Sequence, residues 1–221
     1  FEDGVSGSVD RTHAVSLGQS IINENFGSVA IGQGITNTDV FTSHKFTTDY
    51  IVSIGQTIFS YGANNLSIGD TINTPPANLA NNITSIGKGL TTLTTSADNS
   101  ILIGKDVNVS KTALAIGYTI NTTKALNSTI IGRSFTTDNA ATSVFVGSGD
   151  GTTQKGQDVV SVGRNNITTT TSARRSVVVG TAAQSKKSDA VAVGNNAVVD
   201  AAHAVAVGKD VEVKSSGSHG V

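Results

Sequence analysis

The stretch Ser176–Val213, SVVVGTAAQSKKSDAVAVGNNAVVDAAHAVAVGKDVEV, contains three copies of one pattern, in which small and aliphatic residues alternate up to a glycine. The same step occurs thirteen times along the chain, and its glycines are Gly18, Gly32, Gly55, Gly69, Gly87, Gly104, Gly117, Gly132, Gly147, Gly163, Gly180, Gly194 and Gly208. Successive glycines lie 13 to 23 residues apart. Self-similarity at a short period indicates one structural unit stacked many times. The sequence therefore predicts a solenoid of about 13 short coils.

Positions within each coil are counted from its glycine. Position −1 is aliphatic in all thirteen coils, and position −3 is aliphatic in all but two, which carry Thr84 and Thr129. Such alternation with a period of two predicts a β-strand with positions −3 and −1 on one face. Positions −4 and −2 hold mostly small residues, which let strands approach closely. We expect that second face to meet neighbouring chains.

A second apolar signal follows the glycine at position +3, where only Asp150 and Asn166 break the pattern. Each coil then consists of a strand, a glycine corner, a second short strand and a polar return loop. Glycine suits the corner because it has no Cβ to clash at positive φ or where backbones crowd. The fold predicted is all-β, a parallel β-roll in which each strand pairs with its equivalent in the next coil.

The composition excludes several classes of protein. The chain has 221 residues, a net charge of −1, no Cys, Met or Trp, and 5% aromatic residues. No long-range field favours nucleic acid or anionic lipid, and no stretch of about 18 apolar residues is present to insert into a membrane. We expect no cofactor and no metal site. A roll this thin has little interior, so we expect it to oligomerise.

The motifs SVAIG, ALAIG and the paired AVAVG steps resemble the head repeat of trimeric autotransporter adhesins, the YadA-like heads. The resemblance implies a left-handed parallel β-roll in a homotrimer, with residues 1–213 as the head and 214–221 as the start of a further segment. It also implies a bacterial surface adhesin, anchored in the outer membrane by a C-terminal barrel outside this fragment. Its partners would be host matrix proteins (collagen, fibronectin or laminin) or host cell receptors, bound multivalently.

The longest gap between glycines contains the insertion Thr36–Tyr50, TNTDVFTSHKFTTDY. Insertions in a solenoid form surface loops that often bind partners. The candidate contact residues in this loop are Phe41, His44, Lys45, Phe46 and Tyr50. The alternative is that the aromatic side chains pack on the roll or across a trimer interface.

A second candidate is the basic cluster formed by Arg174, Arg175, Lys186 and Lys187, which fall in return loops of adjacent coils. Stacking of the coils would bring the two basic pairs together, where an acidic ligand such as a sulfated glycan could bind. The alternative is solvated loop charge.

Three other features are expected to be structural. Asn73–Asn82, which holds both prolines, is predicted to be a rigid polar loop, and the alternative is contact with a ligand. Ser148–Asp158 is predicted to be a flexible loop and not a calcium site, since it lacks a repeated ligand set. His13 and His203 share position −5, which points to a structural role.

Other functions were compared with adhesion. Hexapeptide acyltransferases also form β-helices, but their period is six residues, and no catalytic arrangement is found here, so we expect no enzyme. An ice-binding solenoid needs threonines in register, whereas runs such as Thr168–Thr171 fall in loops of unequal length. A phage tail-fibre or another trimeric β-solenoid segment is the remaining alternative.

Overall fold

The computed structural model describes residues 14–23, 27–38, 50–74, 81–93, 98–110, 112–123, 126–149, 153–168 and 173–214. Within these residues the chain forms parallel β-strands and no helix. Each of the thirteen glycine motifs lies in or directly after a strand. The prediction of an all-β parallel solenoid is therefore confirmed. The chain divides into two compact units, Phe1–Thr112 and Ala113–Val221.

The first unit contains one parallel sheet of six strands that pair in the order of the sequence. These are β1 (Val15–Asn23), β2 (Val29–Thr38), β3 (Ile51–Tyr61), β4 (Asn65–Thr74), β5 (Thr84–Thr92) and β6 (Ile101–Val109). The register places the repeat glycines opposite one another, as in Gly18 with Gly32 and Gly32 with Gly55. Equivalent positions of successive coils thus form straight rows.

The second unit continues the same pattern over eleven strands. These are β7 (Ala113–Thr123), β8 (Ser128–Asp138), β9 (Val144–Ser148), β10 (Thr153–Gln154), β11 (Val160–Arg164), β12 (Val177–Thr181), β13 (Gln184–Ser185), β14 (Val191–Asn195), β15 (Val198–Val199), β16 (Val205–Val207) and β17 (Glu212–Val213). In its main sheet the order is β7-β8-β9-β11-β12-β14-β16, with β10 pairing β8, and β13-β15-β17 form a second sheet.

The corner combines two unusual backbone positions in every coil except that of Gly147, whose +2 residue, Gly149, lacks a positive φ. The repeat glycine has a φ near +140°, such as +141° at Gly55, and the residue at +2 has a φ near +55°, such as 52° at Thr57. A Cβ on Gly55 would lie 1.8 Å from the carbonyl oxygen of Gly69 in the next coil. Only glycine fits there, because its backbone packs directly on the next glycine.

The predicted division into two strands per coil holds only in part. In β1 to β8 a single strand passes through the corner. From β9 onward the second segment is a separate short strand, except in the coil of β11, where Ile167 forms only an isolated bridge with Gln184. The ladder in the first unit skips the residue at +2, as between the pairs Gln19 with Gln33 and Ile21 with Ile35. Hydrogen bonding thus resumes directly after the bend, which keeps the strand continuous.

The two faces of the first segment are oriented opposite to our expectation. In twelve of the thirteen coils the residue at −2 is buried inside the coil, as are Ala30, Ser53 and Phe145. The residue at +3 fills the interior from the other side, as do Ile58 and Ile120, both 0% exposed. The narrow space between the two segments favours Ser or Ala at −2 because +3 already carries a large residue. The small face is therefore the core, and not the surface that meets other chains.

Buried serines at −4 satisfy backbone groups at the return corner. The hydroxyl of Ser143 accepts a hydrogen bond from the N–H of Val159 at 3.1 Å and donates to the carbonyl of Gly156 at 3.1 Å. Ser128 likewise donates to the carbonyl of Ala140 and accepts from the N–H of Ser143. Because buried backbone groups are costly to leave unpaired, these serines stabilise the return from one coil to the next.

Candidate binding surfaces

An outward row of aliphatic side chains runs along each unit. This aliphatic row consists of positions −3 and −1 of every coil, and none of its 26 residues is buried. The most exposed members are Val15, Leu17, Ile54, Ile86 and Ile101 in the first unit, and Ile131, Val160, Val162, Val177 and Val207 in the second. Large contiguous apolar patches on protein surfaces are typical of interaction sites.

The outward row on the second segment has a different chemistry. In the first unit, position +4 places Ile22, Thr36, Phe59, Asn73, Thr91 and Asn108 directly opposite one another in register. Four of these six side chains are polar, and in the second unit Asn121 pairs with Thr136 at the same position. The continuous aliphatic surface is thus confined to the first segment of each coil.

The insertion loop lies mostly outside the described residues, which include neither Phe41, His44, Lys45 nor Phe46. Tyr50 is described and is 53% exposed. Its ring lies over the preceding coil, since a Cβ on Gly27 would be 2.7 Å from Cε1 of Tyr50. A partner-binding role for this loop stays a prediction.

The predicted basic cluster does lie on adjacent coils. The N–H of Asp189 donates to the carbonyl of Arg174, and the hydroxyl of Ser176 donates to the carbonyl of Lys187. These main-chain contacts bring the two basic pairs side by side.

Carboxylates and amides nevertheless accompany most of these charges. Arg175 forms a two-pronged ion pair with Asp189, with both N–O distances 2.7 Å. Lys187 lies 3.9 Å from a carboxylate oxygen of Asp200, and Arg174 donates to the side-chain oxygen of Gln157. The cluster is therefore a mixed-charge surface and less cationic than the sequence indicated.

The same ion pair shifts the proton affinity of both partners. The hydrogen bond from Arg175 lowers the pKa of Asp189, and the hydrogen bond to Asp189 raises the pKa of Arg175. In the first unit, Lys88 lies 2.8 Å from Asp70, lowers the pKa of that carboxyl by hydrogen bonding and has its own pKa raised. Both pairs join neighbouring coils.

His203 has a positive φ of 58° at position −5, as do Asn64, Asn82 and Asn99 with values from 56° to 58°. Position −5 is thus the left-handed residue of the return loop, which favours Asn. Nδ1 of His203 lies 3.8 Å from Asp189. These facts support the structural role predicted for His203, while His13 lies outside the described residues.

The proline-containing and Gly-Asp segments are described only in part. Within Ser148–Asp158, Thr153–Gln154 forms strand β10 and Gln154 is buried, so the prediction of a flexible loop is wrong there. Residues 75–80 of the proline-containing loop and residues 150–152 of the Gly-Asp loop lie outside the described part. In the part that is described, no group of three His, Cys, Asp or Glu side chains is placed to hold a metal ion.

Sequence reasoning missed a set of polar side chains at position +1, beside the aliphatic row. From β7 to β14 this rim row consists of Tyr118, Arg133, Ser148, Arg164, Thr181 and Asn195, each in register with the next. It contains two arginines and no acidic residue. Indexing position +1 in every coil would have found these residues, because each immediately follows a repeat glycine.

Comparison of the chain with protein-family models, with curated proteins and with solved structures gave no match. The described residues also contain no helix with the length and apolar character that a membrane crossing needs. The resemblance to YadA-like heads therefore rests on the repeat motif.

Proposed function

We propose that this chain is the head of a homotrimeric bacterial surface adhesin, in which the aliphatic rows of three copies pack together. The observation that carries the proposal is the outward aliphatic row, whose members are 36–66% exposed at ten positions. Fully burying a Val, Leu or Ile side chain contributes roughly 1.5–3 kcal/mol. Several such side chains from each chain offset the rotational and translational cost of association, which is roughly 4–15 kcal/mol.

The interior of each coil supports the same proposal. The −2 face inside the coil holds mostly Ser and Ala, such as Ser53, Ser67 and Ser85, which bury little apolar area. A chain that leaves a row of Val, Leu and Ile side chains outside its own core needs a partner to cover them. The simplest partner is a second copy of the chain, which carries the same row. The resemblance to YadA-like heads implies three copies.

Adhesion follows from the repetition of weak sites. A homotrimer carries three copies of every surface loop, and binding of one copy raises the effective concentration of the others at the host surface. The ligands proposed are collagen, fibronectin or laminin, or host cell receptors. The chain would be displayed on the bacterial surface by an outer-membrane anchor encoded outside this segment.

The test is a solid-phase assay of the purified chain on immobilised collagen, fibronectin and laminin, and on host cells. We expect saturable binding to at least one surface. The triple variant with Phe41→Ala, His44→Ala and Phe46→Ala should bind more weakly while its mass in solution is unchanged, if the insertion is the contact. Absence of binding to every surface would contradict the adhesin proposal.

A further inference from the structure

Two arginines of the second unit have no partner among the residues that the structure describes. Arg133 and Arg164 are both exposed, and no hydrogen bond or ion pair of either side chain is formed within the described residues. Several other cations of the described residues differ, since Arg175, Lys88 and Lys187 each have an aspartate within 4 Å. We propose that Arg133 and Arg164, with Ser148 between them, bind a sulfated polysaccharide.

The backbone holds the three residues in a fixed line. Arg133 pairs with Ser148 and Ser148 with Arg164, in exact succession along β8, β9 and β11. The carbonyls of these residues accept hydrogen bonds from the next coil at 2.8 Å for Arg133, 2.7 Å for Ser148 and 2.8 Å for Arg164. The Cα positions are therefore set by the sheet, and only the side chains adapt to a ligand.

The charge and geometry of the line favour a sulfated chain. A guanidinium donates two parallel hydrogen bonds to an oxyanion, so each arginine fits one sulfate group. The Ser148 hydroxyl donates to the carbonyl of Gly149 at 3.3 Å, and its oxygen can still accept a hydrogen bond from a ligand hydroxyl. Tyr118, in register beside Arg133 and 44% exposed, offers an aromatic face to a sugar ring.

The spacing of the two arginines matches the repeat of a sulfated polysaccharide. One strand, β9, lies between the arginines, so two inter-strand spacings place their backbones about 9.6 Å apart. This is close to the length of one disaccharide in an extended polysaccharide.

The site is compatible with the proposed assembly. The rim row borders the aliphatic row, and polar residues that surround an apolar interface remain accessible to solvent. The inference deepens the adhesion proposal by naming a ligand class. It rests on that proposal, because a site of only two arginines is effective when several copies bind together.

The test is binding of the full chain to immobilised heparin, measured by surface plasmon resonance at low and physiological salt. We expect the double variant Arg133→Gln, Arg164→Gln to bind at least fivefold more weakly than the unmodified chain. The matched control Arg174→Gln, Lys186→Gln removes the same charge from the mixed-charge cluster and should stay within twofold. Free desulfated heparin should compete poorly with immobilised heparin for binding of the chain.

Several results would overturn the inference: no heparin binding by the unmodified chain, equal losses in the two double variants, or equal competition by desulfated heparin. A change in oligomeric mass caused by the Arg133 and Arg164 changes would also overturn it, by assigning the arginines to contacts between copies. Binding to matrix proteins is measured in parallel. If heparin binding fails while matrix binding persists, only this inference falls; if both fail, the adhesin proposal falls as well.

Discussion

A Cβ placed on Gly32 would lie 1.7 Å from the carbonyl oxygen of Gly55 in the next coil. The same relationship recurs from each repeat glycine to the next within both units, with distances of 1.7–2.0 Å. The glycine column therefore sets how closely the coils stack. The obstacle is backbone, so no side-chain rearrangement relieves it.

Two glycines of β2 provide a matched comparison. Gly32→Ala should destabilise the fold by more than about 3 kcal/mol, because the new methyl group meets backbone at a φ of +139°. Gly34→Ala should cost only about 1–2 kcal/mol, since its φ is +63° and the nearest atom to its Cβ would be 3.8 Å away. Urea unfolding followed by circular dichroism measures both. Equal losses would show that stacking is not limited by the glycine column.

Two isoleucines of β3 separate the core from the outer surface. Ile58 is 0% exposed and Ile54 is 37% exposed. Ile58→Glu should abolish the folded strand signal, because a buried unpaired charge is strongly destabilising. Ile54→Glu should keep the strand signal and reduce the oligomeric mass, which far-UV circular dichroism and light scattering report together. Loss of folding in the Ile54 variant would mean that the aliphatic row belongs to the core of the single chain.

The serine at the return corner can be tested against a serine without that role. Ser143→Ala leaves the N–H of Val159 and the carbonyl of Gly156 without their hydrogen-bond partner. We expect a loss of about 1–3 kcal/mol in the free energy of unfolding. Ser161→Ala, buried at position −2 where other coils carry Ala, should be close to neutral. If both changes cost the same, the hydrogen bonds of Ser143 do not stabilise the corner.

The ion pair between Arg175 and Asp189 predicts a dependence on pH. Since Arg175 lowers the pKa of Asp189 in the folded state, the stabilisation is present above the unfolded pKa of about 4. It is lost as the pH falls through the lower, folded pKa. The melting temperature of the unmodified chain should exceed that of Asp189→Asn at pH 7, and the difference should vanish near pH 2. A difference that persists at pH 2 would assign the effect to something other than the charge of Asp189.

The sequence indicated where the strands and corners lie, but not which face of each strand points into the coil. Alternation shows that Ile54 and Val52 share a face, and it is silent on whether that face is inside. The deciding factor is the width of the coil, which depends on how far Ile58 reaches across from the second segment. Position +2 was also missed, because residues such as Thr57 carry no glycine signature for their left-handed conformation.

The charged surface was also predicted incompletely, because its contacts join residues on different coils. Asp189 lies one coil of 14 residues after Arg175, so their pairing was accessible from the period of the repeat. A count of local basic residues could not reveal it. Arg133 and Arg164 do not form a local cluster at all, and only the stacking of three coils brings them into one line.

The most direct test of the account is the mass of the folded chain in solution, measured by sedimentation equilibrium over a range of micromolar concentrations. Burial of the aliphatic rows between copies predicts a species of three chains, each of 22.4 kDa, which dissociates in the Ile54→Glu variant. A folded, stable species of 22.4 kDa at every concentration would contradict it.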